Sequence, residues 1–170
     1  MKLNFVEPIN RTSYGYHSSY VLKHLLQKDF DVRVIPIGRS DPDPKFTIPT
    51  GMFHHNAPCL RLFHQNSLAE FVGNKKVGFS VFELEDLSEV EIHNIKNCDK
   101  FITATNWGKE VCARHGIDAK VVNLGVDTEI FKPTEIEPSD TTIFANFGKF
   151  EIRKGHDVLI KAFNAAFEKD

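Results

Sequence analysis

Short apolar runs alternate with stretches of helical periodicity along most of the chain. The apolar runs have the length that is typical of strands, and they lie at residues 3–6, 31–37, 59–65, 77–83, 100–105 and 119–123. Apolar positions at helical spacing occur between them, at 20–28, 86–97 and 106–116. The repeated alternation of strand and helix predicts an α/β fold with a doubly wound parallel sheet.

A second strand-then-glycine unit follows the first. Val121 and Val122 predict a buried strand that leads to Gly125, and residues 143–147 predict another strand that leads to Gly148. An amphipathic helix is predicted for residues 155–168. The expected organisation is a Rossmann-like amino-terminal domain (1–133), a linker (134–140), and the first βα unit of a second Rossmann-like domain, truncated at 141–170.

Composition narrows the class of protein. A hydrophobic content of 41% with 15 Phe is ample for a packed core, and a net charge of -2 argues against a general nucleic-acid binder. Cys59, Cys98 and Cys112 are far apart and form no C-x-x-C pair, which favours reduced thiols over disulfides or zinc. The strand-like start after Met1 predicts no signal peptide, and no apolar run is long enough to span a membrane. We therefore expect a cytoplasmic protein.

Three motifs, in order, resemble those of family 4 (group 1) glycosyltransferases, which have the two-domain GT-B fold. The stretch GVDTEIFKP is similar to that family's G-V-D-x-x-x-F-x-P, and GKFEIRKGHDVLIKAF is similar to its G-[RK]-x-x-x-x-K-G-x-x-x-L-[IL]-x-A-F. VGFSVFELEDL followed by KFITATNWGKEVCARHGI resembles one branch of the family. The resemblance covers most of residues 77–170, whereas residues 1–76 match only in their pattern of elements.

The resemblance implies transfer of a sugar from a nucleotide-sugar to an acceptor hydroxyl with retention of configuration. It implies no cofactor besides the donor substrate, and no metal. The family's basic pair on the donor diphosphate would fall on Lys149 and Lys154. Arg153 is a further candidate for phosphate contact because it lies in the same basic loop, after a strand and a glycine and before a helix. Many family members have Arg where this chain has Lys149, which keeps the charge but loses the bidentate fork. The family's E-x7-E donor motif is absent from these residues, so the chain alone is expected to be inactive.

Four further residues are candidates for the site. Gly15 is predicted to lie between the first strand and the first helix, where it would let a donor phosphate or an acceptor approach the backbone. Glu83 is predicted to end a strand at the edge where open α/β sheets bind ligands, and is the catalytic candidate. His17 and His64 are weaker candidates for the acceptor side.

Two patterns that suggest metal sites are better explained otherwise. Asp41-Pro42-Asp43 spells D-x-D, but prolines flank Asp43 in a loop with turn composition. His54 and His55 have no carboxylate or cysteine at ligand spacing. The G-x-G-x-x-G fingerprint is absent too, which disfavours nicotinamide binding.

Two other functions stay open at this point. The chain could be a non-catalytic Rossmann-like binding subunit that needs a separate donor-domain chain, or a GT-B-type nucleotide-sugar epimerase. The expected partners are a nucleotide-sugar and a glycan, lipid or small-molecule acceptor, and no nucleic acid. Peripheral membrane association and a homodimer through the C-terminal segment are also left open.

Overall fold

The computed structural model describes residues 1–135 and 139–167 of the 170-residue chain. The chain divides into two compact units, Met1–Val126 and Asp127–Asp170. The domain boundary predicted at residue 133 falls inside the second unit. Residues 136–138 of the predicted linker and residues 168–170 of the predicted second domain lie outside the described residues.

The first unit alternates strands with helices, as predicted. Its elements in chain order are β1 (Lys2–Pro8), α1 (Ser13–Gln27), β2 (Asp31–Ile37), β3 (Pro58–Leu62), β4 (Lys75–Ser80), α2 (Glu89–Lys96), β5 (Lys100–Thr103), α3 (Asn106–Arg114) and β6 (Ala119–Val121). A short 3₁₀ turn (Gln65–Ser67) follows β3.

The six strands form one parallel sheet in the order β2-β1-β3-β4-β5-β6. The chain runs from β1 to one edge at β2 and then returns past β1 to build the other side from β3. This reversal creates a topological switch point between β1 and β3, where open α/β sheets form a ligand crevice at the carboxyl ends of their strands. The predicted α/β, Rossmann-like fold is confirmed for this unit.

Helices cover both faces of the sheet. Phe5 of β1 is fully buried in a cluster with Leu22 of α1. The strand register places Phe101 of β5 on the opposite face. There it packs with Ile95 of α2 and Val111 of α3. Full burial of each such side chain is worth about 1.5–3 kcal/mol, so the two clusters fix the helices on their faces.

The prediction that Glu83 ends a strand is wrong. β4 ends at Ser80, which pairs with Thr103, the last residue of β5. Beyond this pair the β4 chain has no parallel neighbour to continue the ladder, although its sequence stays apolar as far as Phe82. Glu83 therefore lies in the loop after β4, and it is exposed.

Two helices begin at residues that differ from the predicted ones. α1 begins at Ser13, so Gly15 lies in the first turn of a helix and not in a polar loop. α2 was expected to begin at Asp86 but begins at Glu89. Ser88 sets this start because it forms a capping box with Glu91, in which each side chain bonds the other residue's backbone N–H.

The strand predicted at Val121 and Val122 is not buried. β6 ends at Val121, which is half-buried, and Val122 is 50% exposed. The reason is position in the sheet, because β6 is an edge strand that pairs only with β5.

In the described residues of the second unit, a 3₁₀ turn (Ile152–Lys154) precedes an α-helix, α4 (His156–Ala166). The strand predicted for 143–147 is absent, because no other described segment pairs with it to form a ladder. Phe144 instead packs against Phe163 of α4 and Phe167, which follows the helix. Its ring centroid lies 5.4 Å from that of Phe163 and 5.3 Å from that of Phe167.

Candidate functional site

The loops that follow β1, β3 and β4 bring aromatic and polar side chains together at the carboxyl edge of the sheet. Tyr14, in the first turn of α1, lies with its ring centroid 4.6 Å from His64 and 5.4 Å from Phe63. The Tyr14 hydroxyl donates to the Val81 carbonyl after β4, with an O···O distance of 3.5 Å. One tyrosine thus joins the three loops beside the switch point.

A cleft of about 120 Å³ opens next to this cluster. Its lining combines three carboxylates, a histidine, an amide and apolar groups: His64, Gln65, Val81, Phe82, Glu83, Leu84, Asp86, Leu87 and Glu91. The structure therefore brings together Glu83 and His64, two of the sequence-predicted site residues, from different loops. An exposed carboxylate and an exposed imidazole at one cleft can bind hydroxyl groups and exchange protons.

Electrostatics link Glu83 to Tyr14. Burial raises the pKa of Tyr14, and the negative charge of Glu83 raises it further. Tyr14 remains a neutral hydroxyl at pH 7, so it serves as a hydrogen-bond donor at the cleft edge.

Gly15 does not line this cleft. It is buried, and a Cβ atom at this position would lie 2.7 Å from the backbone N of Asn10 and closer still to the Asn10 carbonyl. The missing side chain thus lets the first turn of α1 approach the β1–α1 loop, which is a packing reason for glycine. Its predicted role beside a phosphate stays a prediction.

His17 lies deeper in α1, between the helix and the sheet. Its ring packs edge-on against Phe79 of β4 at 5.8 Å, and burial lowers its pKa. Its Nε2 atom is buried, with no hydrogen-bond partner among the described residues. His17 is therefore neutral at pH 7, and it is not among the residues that line the cleft.

Sequence reasoning missed a buried carboxyl group at the switch point itself. Glu7, the residue before the last of β1, is fully buried. Its Oε1 accepts from the Leu62 N–H at 2.5 Å, and its Oε2 lies 2.8 Å from the Ser18 hydroxyl. Burial raises the pKa of Glu7 well above its usual value. A glutamate that ends an otherwise apolar strand just before Pro8 was the available signal.

The predicted phosphate-binding residues lie in the second unit, on the turn before α4. The Lys149 side chain is 87% exposed and its Nζ lies 4.0 Å from Glu151, while Arg153 lies 3.1 Å from Glu151. Lys154 ends the 3₁₀ turn, and Gly155 follows with φ 63°, a left-handed conformation that favours glycine. Glu151, which offsets part of the positive charge, was not anticipated.

Hydrogen bonds from the His156 ring stabilise the conformation of this basic turn. Its Nε2 lies 2.8 Å from the Lys149 carbonyl, and its Nδ1 lies 3.0 Å from the Asn146 amide nitrogen. A carbonyl only accepts, so Nε2 carries the proton and Nδ1 accepts from Asn146. The turn is thereby tied to the start of α4.

The residues of the two patterns that suggested metal sites form ion pairs with other side chains. Asp41 lies 3.7 Å from Arg11, Asp43 lies 3.4 Å from Lys45, and His54 lies 3.3 Å from Asp31. Among residues 1–135 and 139–167, no group of three or more His, Cys, Asp or Glu could hold a metal ion.

Within that part of the chain, none of the helices has both the length and the apolar character required to cross a bilayer. Comparison with known proteins finds no matching family model, no matching curated protein and no matching solved structure. The resemblance to glycosyltransferases therefore rests on the sequence motifs alone.

Proposed function

We propose that this chain is part of a retaining glycosyltransferase of the GT-B type that uses a nucleotide-sugar donor. The proposal rests mainly on the basic turn at 149–155, which occurs in a motif similar to that of family 4 glycosyltransferases. Three cations beside the start of a helix suit a diphosphate, because the helix N-terminus and fixed positive charges both favour anions.

The first unit supports the acceptor half of the proposal. Its Rossmann-like sheet has a cleft at the carboxyl edge, next to the switch point, and polar groups from two loops line that cleft. In the proposed reaction Glu83 and His64 hold the acceptor hydroxyl. Both are exposed, so an incoming acceptor can reach them.

The reaction breaks the bond between the anomeric carbon and the diphosphate oxygen and forms a bond from that carbon to the acceptor oxygen. The leaving diphosphate gains negative charge, which Lys149, Arg153 and Lys154 stabilise. The acceptor hydroxyl loses its proton, and a nearby carboxylate or the leaving phosphate takes it up. Donor binding and acceptor binding thus use separate groups of residues.

The direct test is a screen of nucleotide-sugars against the protein that contains this chain, with released nucleoside diphosphate as the signal. The expected result is transfer to an acceptor, and NMR of the product should show the anomeric configuration of the donor. Inversion of configuration would contradict the proposal. Nucleotide-sugar binding without any transfer would favour a non-catalytic binding subunit, and a changed sugar without transfer would favour an epimerase.

A further inference from the structure

Three aromatic rings surround the ammonium group of Lys45, and none of them is among the residues that line the cleft described above. Tyr16 and Tyr20 project from α1, and Phe46 comes from the loop after β2. The Lys45 Nζ atom lies 5.2 Å from the Tyr16 ring centroid, 5.6 Å from that of Tyr20 and 5.1 Å from that of Phe46. All three distances fall within the range of about 6 Å for cation–π attraction.

The rings form walls of different orientation rather than a flat patch. Tyr20 and Phe46 meet at 75° with centroids 5.1 Å apart, and Tyr16 lies nearly parallel to Tyr20 at 28° and 6.5 Å. A cation between them meets ring faces from more than one direction. The cluster of Tyr16, Tyr20, Phe46 and Asp43 is called the aromatic cage below.

Asp43 adds a negative charge to the cage. Its Oδ2 lies 3.4 Å from Lys45 Nζ and accepts from the Tyr16 hydroxyl at 3.3 Å. Its Oδ1 accepts from the Lys45 backbone N–H at 3.1 Å. The carboxylate is thus held in place by a turn and by Tyr16, whether or not a lysine side chain fills the cage.

We propose that the aromatic cage is a binding site for an alkylammonium group, and that the chain's own Lys45 is its tethered occupant. The rings and the carboxylate are the groups that recognise quaternary ammonium ligands. A primary ammonium is strongly hydrated and loses more on entering such a cage than a methylated one does. The site therefore favours a trimethylammonium group over the lysine that fills it.

Tethering explains how Lys45 occupies the cage nonetheless. A side chain attached next to its site has an effective concentration on the order of millimolar, so a free ligand competes only above that level or with higher affinity. The loop does not depend on this contact alone. The Asp41 backbone N–H donates to the Ile9 carbonyl at 2.8 Å, and the Asp41 side chain lies 3.7 Å from Arg11.

Tetramethylammonium chloride is the probe for the test, titrated into the purified chain and followed by ligand-observed NMR. Lys45→Ala should bind it at least about tenfold more tightly than the wild-type chain does, because Lys45 no longer competes for the three rings. Lys23, whose Nζ lies 5.7 Å from the Tyr20 ring centroid, is present in both proteins and so does not account for the difference. Sodium chloride at the same concentrations controls for ionic strength. The test needs no enzymatic activity, so it does not depend on the proposed glycosyl transfer.

Two cage variants in the Lys45→Ala background complete the test. Phe46→Ala removes one wall, and Tyr16→Ala removes another while leaving the Tyr20–Phe46 contact in place. Both should abolish the gain in binding, and circular dichroism identifies a variant that has lost its fold. The proposal is overturned if Lys45→Ala binds tetramethylammonium no more tightly than wild type, or if a folded cage variant binds it equally well.

Discussion

Ser18 of α1 and Glu7 of β1 meet in the core, with the Ser18 hydroxyl 2.8 Å from Glu7 Oε2. The same carboxyl group reaches across the switch point to the Leu62 N–H of β3. One buried side chain thus ties the first helix to the two strands beside the proposed ligand crevice. The Ser18 hydroxyl and the Leu62 N–H both donate to this carboxyl group, while burial raises the pKa of Glu7 well above its usual value.

Glu7→Gln should relieve a pH-dependent loss of stability. Because the pKa of Glu7 is higher in the folded chain than in the unfolded one, ionisation lowers the free energy of unfolding as the pH rises above the unfolded value. A glutamine keeps both hydrogen bonds and cannot ionise. Urea unfolding at a series of pH values should show little difference at acidic pH and a more stable variant at alkaline pH.

Two further variants make the Glu7 test specific. Glu110→Gln, an exposed position in α3, is the matched control and should not show this pH-dependent gain. Glu7→Ala should cost about 1–3 kcal/mol, because it leaves the buried Leu62 N–H unsatisfied. A Glu7→Gln variant that is less stable than wild type at every pH would mean that the core requires the ionised carboxylate.

Gly15→Ala should destabilise the first unit by about 1–3 kcal/mol, since the added methyl group overlaps the Asn10 backbone and forces it to move. The matched control is Gly125→Ala, where an added Cβ has nothing within 4 Å. Thermal or urea unfolding distinguishes the two. Equal stability of both variants would show that the close approach of Asn10 is not the reason for glycine at position 15.

Local sequence predicted the elements well where their limits depend on local signals. β2 has the predicted bounds because Asp31 and Gly38 border an apolar run, and α3 begins near the predicted residue because the Thr105 side chain accepts from the Gly108 N–H. Glu83 was misplaced because β4 ends where its neighbour β5 ends, and the length of a neighbouring strand is not encoded in the residues around Ser80.

Residues whose roles depend on distant contacts could not be predicted in the same way. Glu7 is buried because β2 and β3 flank β1 while α1 covers it, and these elements come from separate parts of the chain. The segment 143–147 has the composition of a strand. A strand also needs a neighbouring strand to pair with, and the sequence of the segment does not show whether such a neighbour exists. Ile143 is 84% exposed and Phe147 94% exposed, and neither lies in a strand.

Lys154→Ala should weaken the binding of a nucleoside diphosphate to the protein that contains this chain. Loss of one charge-assisted contact costs about 1.5–3 kcal/mol, or about ten- to a hundredfold in affinity. Lys161→Ala, in α4 beyond the basic turn, removes the same charge and should have little effect. Equal Kd values for both variants by calorimetry would make Lys154 an ordinary surface charge.

Glu83→Gln should lower the pKa of Tyr14. The negative charge of Glu83 disfavours the tyrosinate, so its removal makes ionisation easier, although burial keeps the pKa above the usual value. NMR titration of the tyrosine signals measures this without any substrate, with Tyr14→Phe to assign the signal. An unchanged Tyr14 titration would place the Glu83 carboxylate too far from the hydroxyl to share a site with it.

The same Glu83→Gln variant should slow sugar transfer if the cleft holds the acceptor. A carboxylate accepts a stronger hydrogen bond from the reacting hydroxyl than an amide does, and loss of a charge-assisted bond costs about 1.5–3 kcal/mol. We therefore expect kcat/KM for the acceptor to fall about ten- to a hundredfold, with donor affinity unchanged. Glu85→Gln is the matched control, since Glu85 is exposed in the same loop but does not line the cleft. Equal losses in the two variants would assign the effect to the general charge of the loop, and no loss in either would remove Glu83 from the reaction.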